Sequence, residues 1–171
     1  MLTKKIEAAL NKQISHEAAS SQVYLGIASW ADVQPGLEGV SDFFFQQSDE
    51  ERMHMLKLVR FVNERGGNAI IPALEQPTLK FKSLKKAFET FLANEVKVSE
   101  SINELVNTAL EGKDYATHNF LQWYVAEQIE EERLARRLNE KLDMIGEDKS
   151  GLYLFDRDIM AHRSNLSAEE K

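Results

Sequence analysis

Residues 47–56 read QSDEERMHML, and this segment places two polar side chains where apolar ones are expected. Glu51 and His54 are three residues apart, so on a helix they lie on the same face. Phe44 and Leu58 continue that face in both directions. A stripe of apolar residues at steps of three and four normally packs against a core. The segment therefore predicts a buried glutamate and a buried histidine, whose partners must come from elsewhere in the chain.

The composition indicates one globular domain spanning residues 1–171. Hydrophobic residues make up 43% of the chain and charged residues 29%, which is the balance of a folded protein. The net charge of -7 argues against nucleic acid as a partner, and the absence of cysteine excludes disulfides and thiolate sites. No run is apolar enough to cross a membrane, and the first residues read as an amphipathic helix rather than a signal peptide. We therefore expect a soluble, cytoplasmic protein.

Apolar periodicity and turn signals predict an all-α protein of four long helices and a short fifth one. The predicted helices span residues 3–32, 37–65, 83–111, 114–145 and 151–160. The first and third links are short, which favours antiparallel helix pairs. The second link is long and contains Pro72 and Pro77, so it can run the length of the bundle. The expected fold is an antiparallel four-helix bundle with one long crossover.

Each of the four long helices interrupts its apolar stripe with a glutamate near mid-length. These residues are Glu17, Glu51, Glu95 and Glu131. A single glutamate on a helix is ordinarily solvated, and that is the simpler interpretation of each position taken alone. Antiparallel packing, however, brings the midpoints of all four helices to one level of the core. The coincidence predicts a cluster of carboxylates inside the bundle.

Such a cluster needs positive charge or protons. Two carboxylates about 4 Å apart repel by about 4 kcal/mol at an effective dielectric constant near 20. His54 is the only base on these stripes, so protonation or a bound cation must neutralise the rest. Carboxylates combined with one imidazole and one amide suit iron or manganese and offer little to copper or calcium. We interpret Glu51 and His54 as half of a metal site.

The same residues resemble a known family. Glu17, Tyr24, the EERMH of residues 50–54, Glu95 and the WYVAEQIEEE of residues 123–132 are similar to the ferroxidase centre of bacterial non-haem ferritins. The resemblance extends over essentially the whole chain, including the crossover and the fifth helix. It implies the ferritin-like fold, an iron-oxidising activity and a hollow cage of 24 subunits.

The resemblance also implies a di-iron centre. Glu17, Glu51 and His54 would bind the first iron. Glu51 would bridge to a second iron bound by Glu95, with Glu131 close by.

A third, weaker iron site is implied beside this centre. It would consist of Glu50, Glu127 and Glu130, with Glu131 shared. The alternative is that these flanking acids simply face the interior of a cage.

Two aromatic residues are implied as neighbours of the centre. Tyr24 would act as a hydrogen-bonding or redox residue, and Trp123 as a further electron donor. Ordinary core packing is the alternative for both.

Two departures separate this chain from related ferritin-like proteins. Bacterioferritin repeats Glu-x-x-His on its fourth helix, whereas this chain has Gln128-x-x-Glu131, with Gln128 expected in the outer coordination sphere of the iron. Arg52 stands where bacterioferritin carries its haem-ligating methionine, so we expect no haem. The cysteine-rich iron domain of rubrerythrins is lacking as well.

The remaining histidines are less informative. His16 is rotated by about 100° from Glu17 and should lie at the surface. His118 and Asp114 could line an iron-entry pore, although a plain polar helix start is the simpler interpretation. We assign no function to His162.

The leading hypothesis is therefore a cytoplasmic ferroxidase and iron store that acts on Fe(II) with O2 or H2O2. A second hypothesis is a di-iron oxidoreductase that acts on a small organic substrate. It predicts a cavity beside the metals and a monomer or dimer. A third is a metal-free bundle whose buried acids are protonated.

Overall fold

The computed structural model describes residues 2–166, and side chains as far as residue 160. Within this range the secondary structure consists of α1 (Lys4–Asp32), α2 (Glu38–Glu64), α3 (Leu84–Glu111), α4 (Tyr115–Ile145) and α5 (Lys149–Leu166). The all-α fold with a long crossover is confirmed. The fifth helix is longer than predicted, and the His162 side chain lies outside the described residues.

Three of the long helices begin at a side-chain cap. The side chains of Thr3, Ser83 and Asp114 each accept a hydrogen bond from the backbone N–H group three residues later. The donor–acceptor distances are 3.3, 3.2 and 3.0 Å. Leu37, which precedes α2, has no side chain that can do this. The Asp156 carboxylate of α5 replaces it, accepting from the N–H groups at positions 39 and 40. The fifth helix is thus bonded to the start of the second.

The long crossover lies along α1. At its beginning, the Asn11 side chain donates to the Asn68 carbonyl oxygen at 3.1 Å and accepts from the N–H of Ile70 at 2.7 Å. Further along α1, Gly26 leaves the space that Pro77 and the following carbonyl occupy. The crossover therefore runs along α1 from one end of the bundle towards the other. As a result, α2 ends at one end of the bundle and α3 begins at the opposite end.

The hydrophobic core is divided into two clusters with polar side chains between them. One cluster, towards α5, contains Phe43, Phe44 and Phe88. The other, towards the start of α1, contains Ile6 and Leu105. The polar layer between the clusters lies at the middle of the four long helices.

The helices are not equally close to one another. In the part of the chain that the structure describes, α1 packs closely on α2 and α3 on α4, whereas no Cα of α2 lies within 8 Å of a Cα of α4. The second and fourth helices therefore meet only through side chains, which leaves room between them for long polar groups. Among residues 2–166, no helix is both long and apolar enough to span a membrane.

Candidate metal centre

The polar layer contains six side chains that are almost completely buried. None is more than 7% exposed, and they are Glu17, Glu51, His54, Glu95, Gln128 and Glu131. α1 and α3 supply one each, and α2 and α4 two each. The sequence predicts this shared level from helical periodicity, and the structure places the six side chains there. Their assignment as metal ligands stays a prediction.

The first half of the centre brings three potential ligand atoms together. The Nδ1 atom of His54 lies 3.6 Å from Glu51 Oε2 and 4.0 Å from Glu17 Oε2. Both of these carboxylate oxygens are buried and receive no hydrogen bond from an amide, hydroxyl or backbone N–H group of the described residues, although the two carboxyl groups contact each other. One ligand atom from each of the three residues lies within 4.8 Å of the others. A single ion placed among them would contact all three.

The second half is held together by hydrogen bonds. Glu95 Oε1 accepts from the Tyr24 hydroxyl, and Glu95 Oε2 accepts from Gln128 Nε2 at 3.1 Å. Glu131 Oε2 receives a longer contact of 3.4 Å from Gln47 Nε2. A metal ion at this position would bind carboxylates that already accept hydrogen bonds from Tyr24, Gln128 and Gln47.

Burial raises the pKa of every glutamate in the layer, because the charged form loses its hydration. It brings the pKa of Glu95 to about 7. Neighbouring carboxylates raise the pKa values of Glu17, Glu51 and Glu131 further, because two negative charges close together repel. All three pKa values lie well above the usual value of a glutamate. Burial lowers the pKa of the His54 imidazole. Without a bound cation, the layer therefore favours protonated acids and a neutral histidine. A divalent cation would displace the protons of the acids and bind the neutral imidazole.

The donor set fits iron. It offers carboxylate oxygens and one neutral imidazole nitrogen, the ligands that Fe(II) and Mn(II) take in proteins. Glu17 and Glu51 each keep an unpartnered buried oxygen, and leaving such an atom unsatisfied costs free energy in a protein without a bound cation. These unpartnered oxygens favour a bound metal over a purely structural cluster of acids.

A second group of potential ligands lies on the other side of the imidazole. Glu50 and Glu127, both half-buried, bring one oxygen each within 4.8 Å of a His54 nitrogen and of each other. Glu130 is not part of this group, although it lies close enough to Glu131 to contribute to raising its pKa. Glu127 raises the pKa of Glu131 as well, so it is close both to His54 and to Glu131, and the third site stays a prediction.

The two aromatic neighbours differ in their surroundings. Tyr24 is fully buried, bonded to Glu95, and also accepts from Asn94 Nδ2 at 2.8 Å. Trp123 is 37% exposed, so it is not an ordinary core residue. Its ring lies 5.2 Å from the His54 ring, and the Lys57 ammonium stands 3.0 Å from the centroid of the indole. Both aromatics therefore contact residues of the polar layer.

Several polar residues without a predicted role support the layer. Gln13 and Gln47 contact its carboxylates directly, and Asn94 and Ser101 contact it through another side chain. Gln13 was detectable, because it lies one helical turn before Glu17 on the same stripe. Ser101 comes from a helix 88 residues away in sequence, so no local pattern connects it with α1.

The residues outside the layer have local partners. The Asp114 carboxylate caps α4 and pairs with the Arg65 guanidinium at 3.1 Å, as the simpler interpretation of a polar helix start predicts. His118 contacts Gln122 one turn further along. His16 is half-buried rather than fully exposed, and burial lowers its pKa.

A bundle of four long helices with one long crossover and a carboxylate–histidine layer at mid-length is the arrangement of the ferritin-like metal-binding bundles. Comparison with known proteins agrees: the family model for the ferritin-like domain matches residues 7–145. The chain belongs to the ferritin family.

Relatives from several organisms match over nearly the full length. A "probable bacterial non-heme ferritin-like protein" of Haemophilus influenzae is 44% identical over 169 residues, 99% of either chain. A bacterial non-heme ferritin of Campylobacter jejuni is 42% identical over 93% of this chain and 95% of its own. An open pore ferritin of the archaeon Archaeoglobus fulgidus superposes with a TM-score of 0.90 at 45% identity, covering 93% of this chain and 98% of the other.

Proposed function

We propose that the protein oxidises Fe(II) to Fe(III) at the polar layer and stores the ferric product in a hollow cage. The observation that carries this proposal is the convergence of four buried glutamates and one histidine from four helices, with two carboxylate oxygens left unpartnered. Family membership agrees with it, because the matched relatives are named as bacterial non-heme ferritins.

In the proposed reaction, two Fe(II) ions are the substrates. Glu17, Glu51 and His54 bind the first ion, and Glu95 and Glu131 bind the second, with Glu51 shared between them. Each ion gives up one electron, so the pair reduces O2 to H2O2 with uptake of two protons, or reduces H2O2 to two water molecules. Holding two metal ions side by side lets one oxidant take both electrons.

The layer contributes proton chemistry as well as ligands. Its glutamates hold protons when no metal is bound, because burial raises their pKa values. Binding of Fe(II) displaces these protons, and the resulting carboxylates stabilise the higher charge of Fe(III). Gln128 and Tyr24 donate to Glu95 from outside, which orients that carboxylate.

Storage requires assembly, because a single bundle encloses no space for a mineral. We propose a closed homo-oligomeric shell of 24 chains in the cytoplasm. The support comes from the relatives, since one matched archaeal structure is described as an open pore ferritin and another as an engineered closed form of it. Half-buried acids such as Glu50 and Glu127 would then serve as a third iron position beside the centre.

A di-iron enzyme with an organic substrate is the competing function. It requires space beside the metals, but the side of the layer towards α5 is filled by aromatic rings. Tyr24, Phe44 and Phe91 pack with ring centroids 5.2, 5.5 and 6.1 Å apart. This packing disfavours a substrate pocket on that side.

The test is aerobic Fe(II) oxidation by wild type, Glu51→Ala and the control Glu100→Ala. Glu51→Ala removes the shared ligand and a buried polar group that the metal-free fold does not need, so the fold should survive while oxidation slows by at least about tenfold. Glu100 is an exposed glutamate of α3, and its loss should leave the rate unchanged. Equal initial rates for all three proteins would contradict the proposed function.

A further inference from the structure

A buried hydrogen-bonded chain of three side chains runs from α3 to the first half of the metal centre. The Ser101 hydroxyl of α3 donates to Gln13 Oε1 at 2.6 Å. Gln13 Nε2 then donates to Glu17 Oε1 at 2.8 Å. Gln13 is fully buried and Ser101 is 8% exposed, so neither side chain can readily exchange these partners for bulk water.

The chain is inserted in an otherwise apolar seam. Leu10 and Ile14 flank Gln13 on α1, and Val98 and Ile102 flank Ser101 on α3, all within one hydrophobic cluster. Burying an amide and a hydroxyl in such a place costs free energy unless both are bonded. Apolar residues would pack here without that cost, so the polar pair calls for a reason beyond helix packing.

The orientation of the Gln13 amide depends on both neighbours. With Ser101 donating to its oxygen, the amide points its NH2 group at Glu17. If the amide were turned over, its oxygen would face a Glu17 oxygen at the same short distance. Two acceptors in contact are tolerated only when the glutamic acid is protonated. The observed orientation directs the Gln13 NH2 group at Glu17 Oε1 and leaves Glu17 Oε2 to face Glu51 and His54.

The result is a carboxylate with two unequal oxygens. Glu17 Oε1 is occupied by Gln13, whereas Oε2 is the buried unpartnered atom that faces Glu51 and His54. A carboxylate without Gln13 would be free to rotate about its last torsion and to present either oxygen or both. Hydrogen bonds to a ligand carboxylate from outside the metal site fix such orientations.

We propose that Gln13 and Ser101 are positioning residues that hold Glu17 so that its Oε2 alone is presented to the first metal ion. This inference rests on the proposed function, because it takes Glu17 as a ligand. Gln13 contacts Glu17 Oε1, and Ser101 acts one step further away through Gln13. Their loss should weaken metal binding while leaving the ligand set intact.

The experiment measures Co²⁺ binding to the full chain without Fe(II) turnover, using calorimetry for affinity and visible absorption for ligand geometry. The variants are Gln13→Met, which keeps the side-chain length but removes the donor, and Ser101→Ala. We expect Gln13→Met to weaken the first Co²⁺ site about tenfold and to change its absorption spectrum, and Ser101→Ala to act in the same direction by a smaller factor.

Two further variants separate positioning from packing. Ser101→Thr retains the hydroxyl and should restore wild-type affinity. Ser41→Ala is the matched control, because Ser41 is a buried serine whose hydroxyl donates to a backbone oxygen of α1 and contacts no glutamate of the layer. It should leave Co²⁺ binding unchanged.

The outcomes distinguish this inference from the proposed function. A Co²⁺ site that is lost in Glu17→Ala but unchanged in Gln13→Met would overturn the positioning role alone. If Ser101→Thr weakens Co²⁺ binding as much as Ser101→Ala does, the positioning role is overturned as well, because the effect would then come from packing. Identical binding by wild type and Glu17→Ala would overturn the proposed function, and this inference with it.

Discussion

At the scale of single residues, Glu95 differs from Glu17 and Glu51 because both of its carboxylate oxygens already accept hydrogen bonds. Its burial still outweighs these bonds and raises its pKa to about 7. The hydrogen bonds from Tyr24 and Gln128 act in the opposite direction, since they stabilise the charged form. The protonation of Glu95 in the folded, metal-free protein therefore changes near pH 7.

This pKa predicts a pH dependence of stability in the metal-free protein. An unfolded chain releases the Glu95 proton near pH 4.5, whereas the folded chain keeps it until about pH 7. Between these values the unfolded state binds fewer protons, so the free energy of unfolding should fall as the pH rises. Glu95→Gln should flatten this part of the curve, and the exposed control Glu100→Gln should not. Chemical denaturation in the presence of a chelator measures it, and parallel curves for wild type and Glu95→Gln would contradict the assignment.

Single residues also show how far sequence reasoning reaches. Helical periodicity alone predicts that Glu17, Glu51, Glu95 and Glu131 lie on buried stripes, because burial repeats every three to four residues. Which oxygen of each carboxylate is already bonded depends on partners from other helices. Ser101 and Gln13 are one such pair, and no spacing rule within one helix predicts it. The ligand assignments themselves stay predictions.

At the scale of elements, α5 is attached to the bundle by its cap on α2. The Asp156 carboxylate accepts from the Gly39 and Val40 N–H groups, the second at 2.8 Å. A Cβ at Gly39 would collide with the Asp156 backbone carbonyl oxygen, so the glycine permits this close approach. Phe155 and Ile159, on the same helix, complete the adjacent hydrophobic cluster.

Removal of the cap should destabilise the protein measurably. Asp156→Ala leaves the first N–H groups of α2 without their acceptor, at a cost of about 1–2 kcal/mol. For a chain of this size that corresponds to a melting temperature lower by about 2–8 °C. Asp158→Ala is the control, since Asp158 is partly exposed on the same helix and pairs with its neighbour Arg157. Thermal melting that is equally affected by both substitutions would show that the cap contributes nothing specific.

The elements were the most predictable part of the chain. The long helices begin and end within two residues of the predicted positions, because Ser83 and Asp114 supply caps and the glycines after α2 and α4 end the helices with positive φ angles. The remote cap was not predictable, since Asp156 lies 117 residues from Gly39 and no local signal links them. The longer extent of α5 was missed for a related reason: the polar residues at its ends carry little apolar periodicity.

At the scale of the whole molecule, the proposed storage function predicts a large particle. Size-exclusion chromatography with light scattering should give a mass of hundreds of kilodaltons, because a cage of 24 chains of 171 residues is far larger than one bundle. Aerobic loading with Fe(II) should then add mass without changing the radius. A monomer or dimer would contradict the storage function and favour the enzyme with an organic substrate.

In the proposed function, the buried carboxylates of four helices gather around two metal ions. Anomalous diffraction at the iron edge, from crystals soaked anaerobically in Fe(II), tests it most directly. We expect one peak among Glu17, Glu51 and His54 and a second among Glu51, Glu95 and Glu131. A protein that takes up iron but shows no anomalous peak within the polar layer would contradict it.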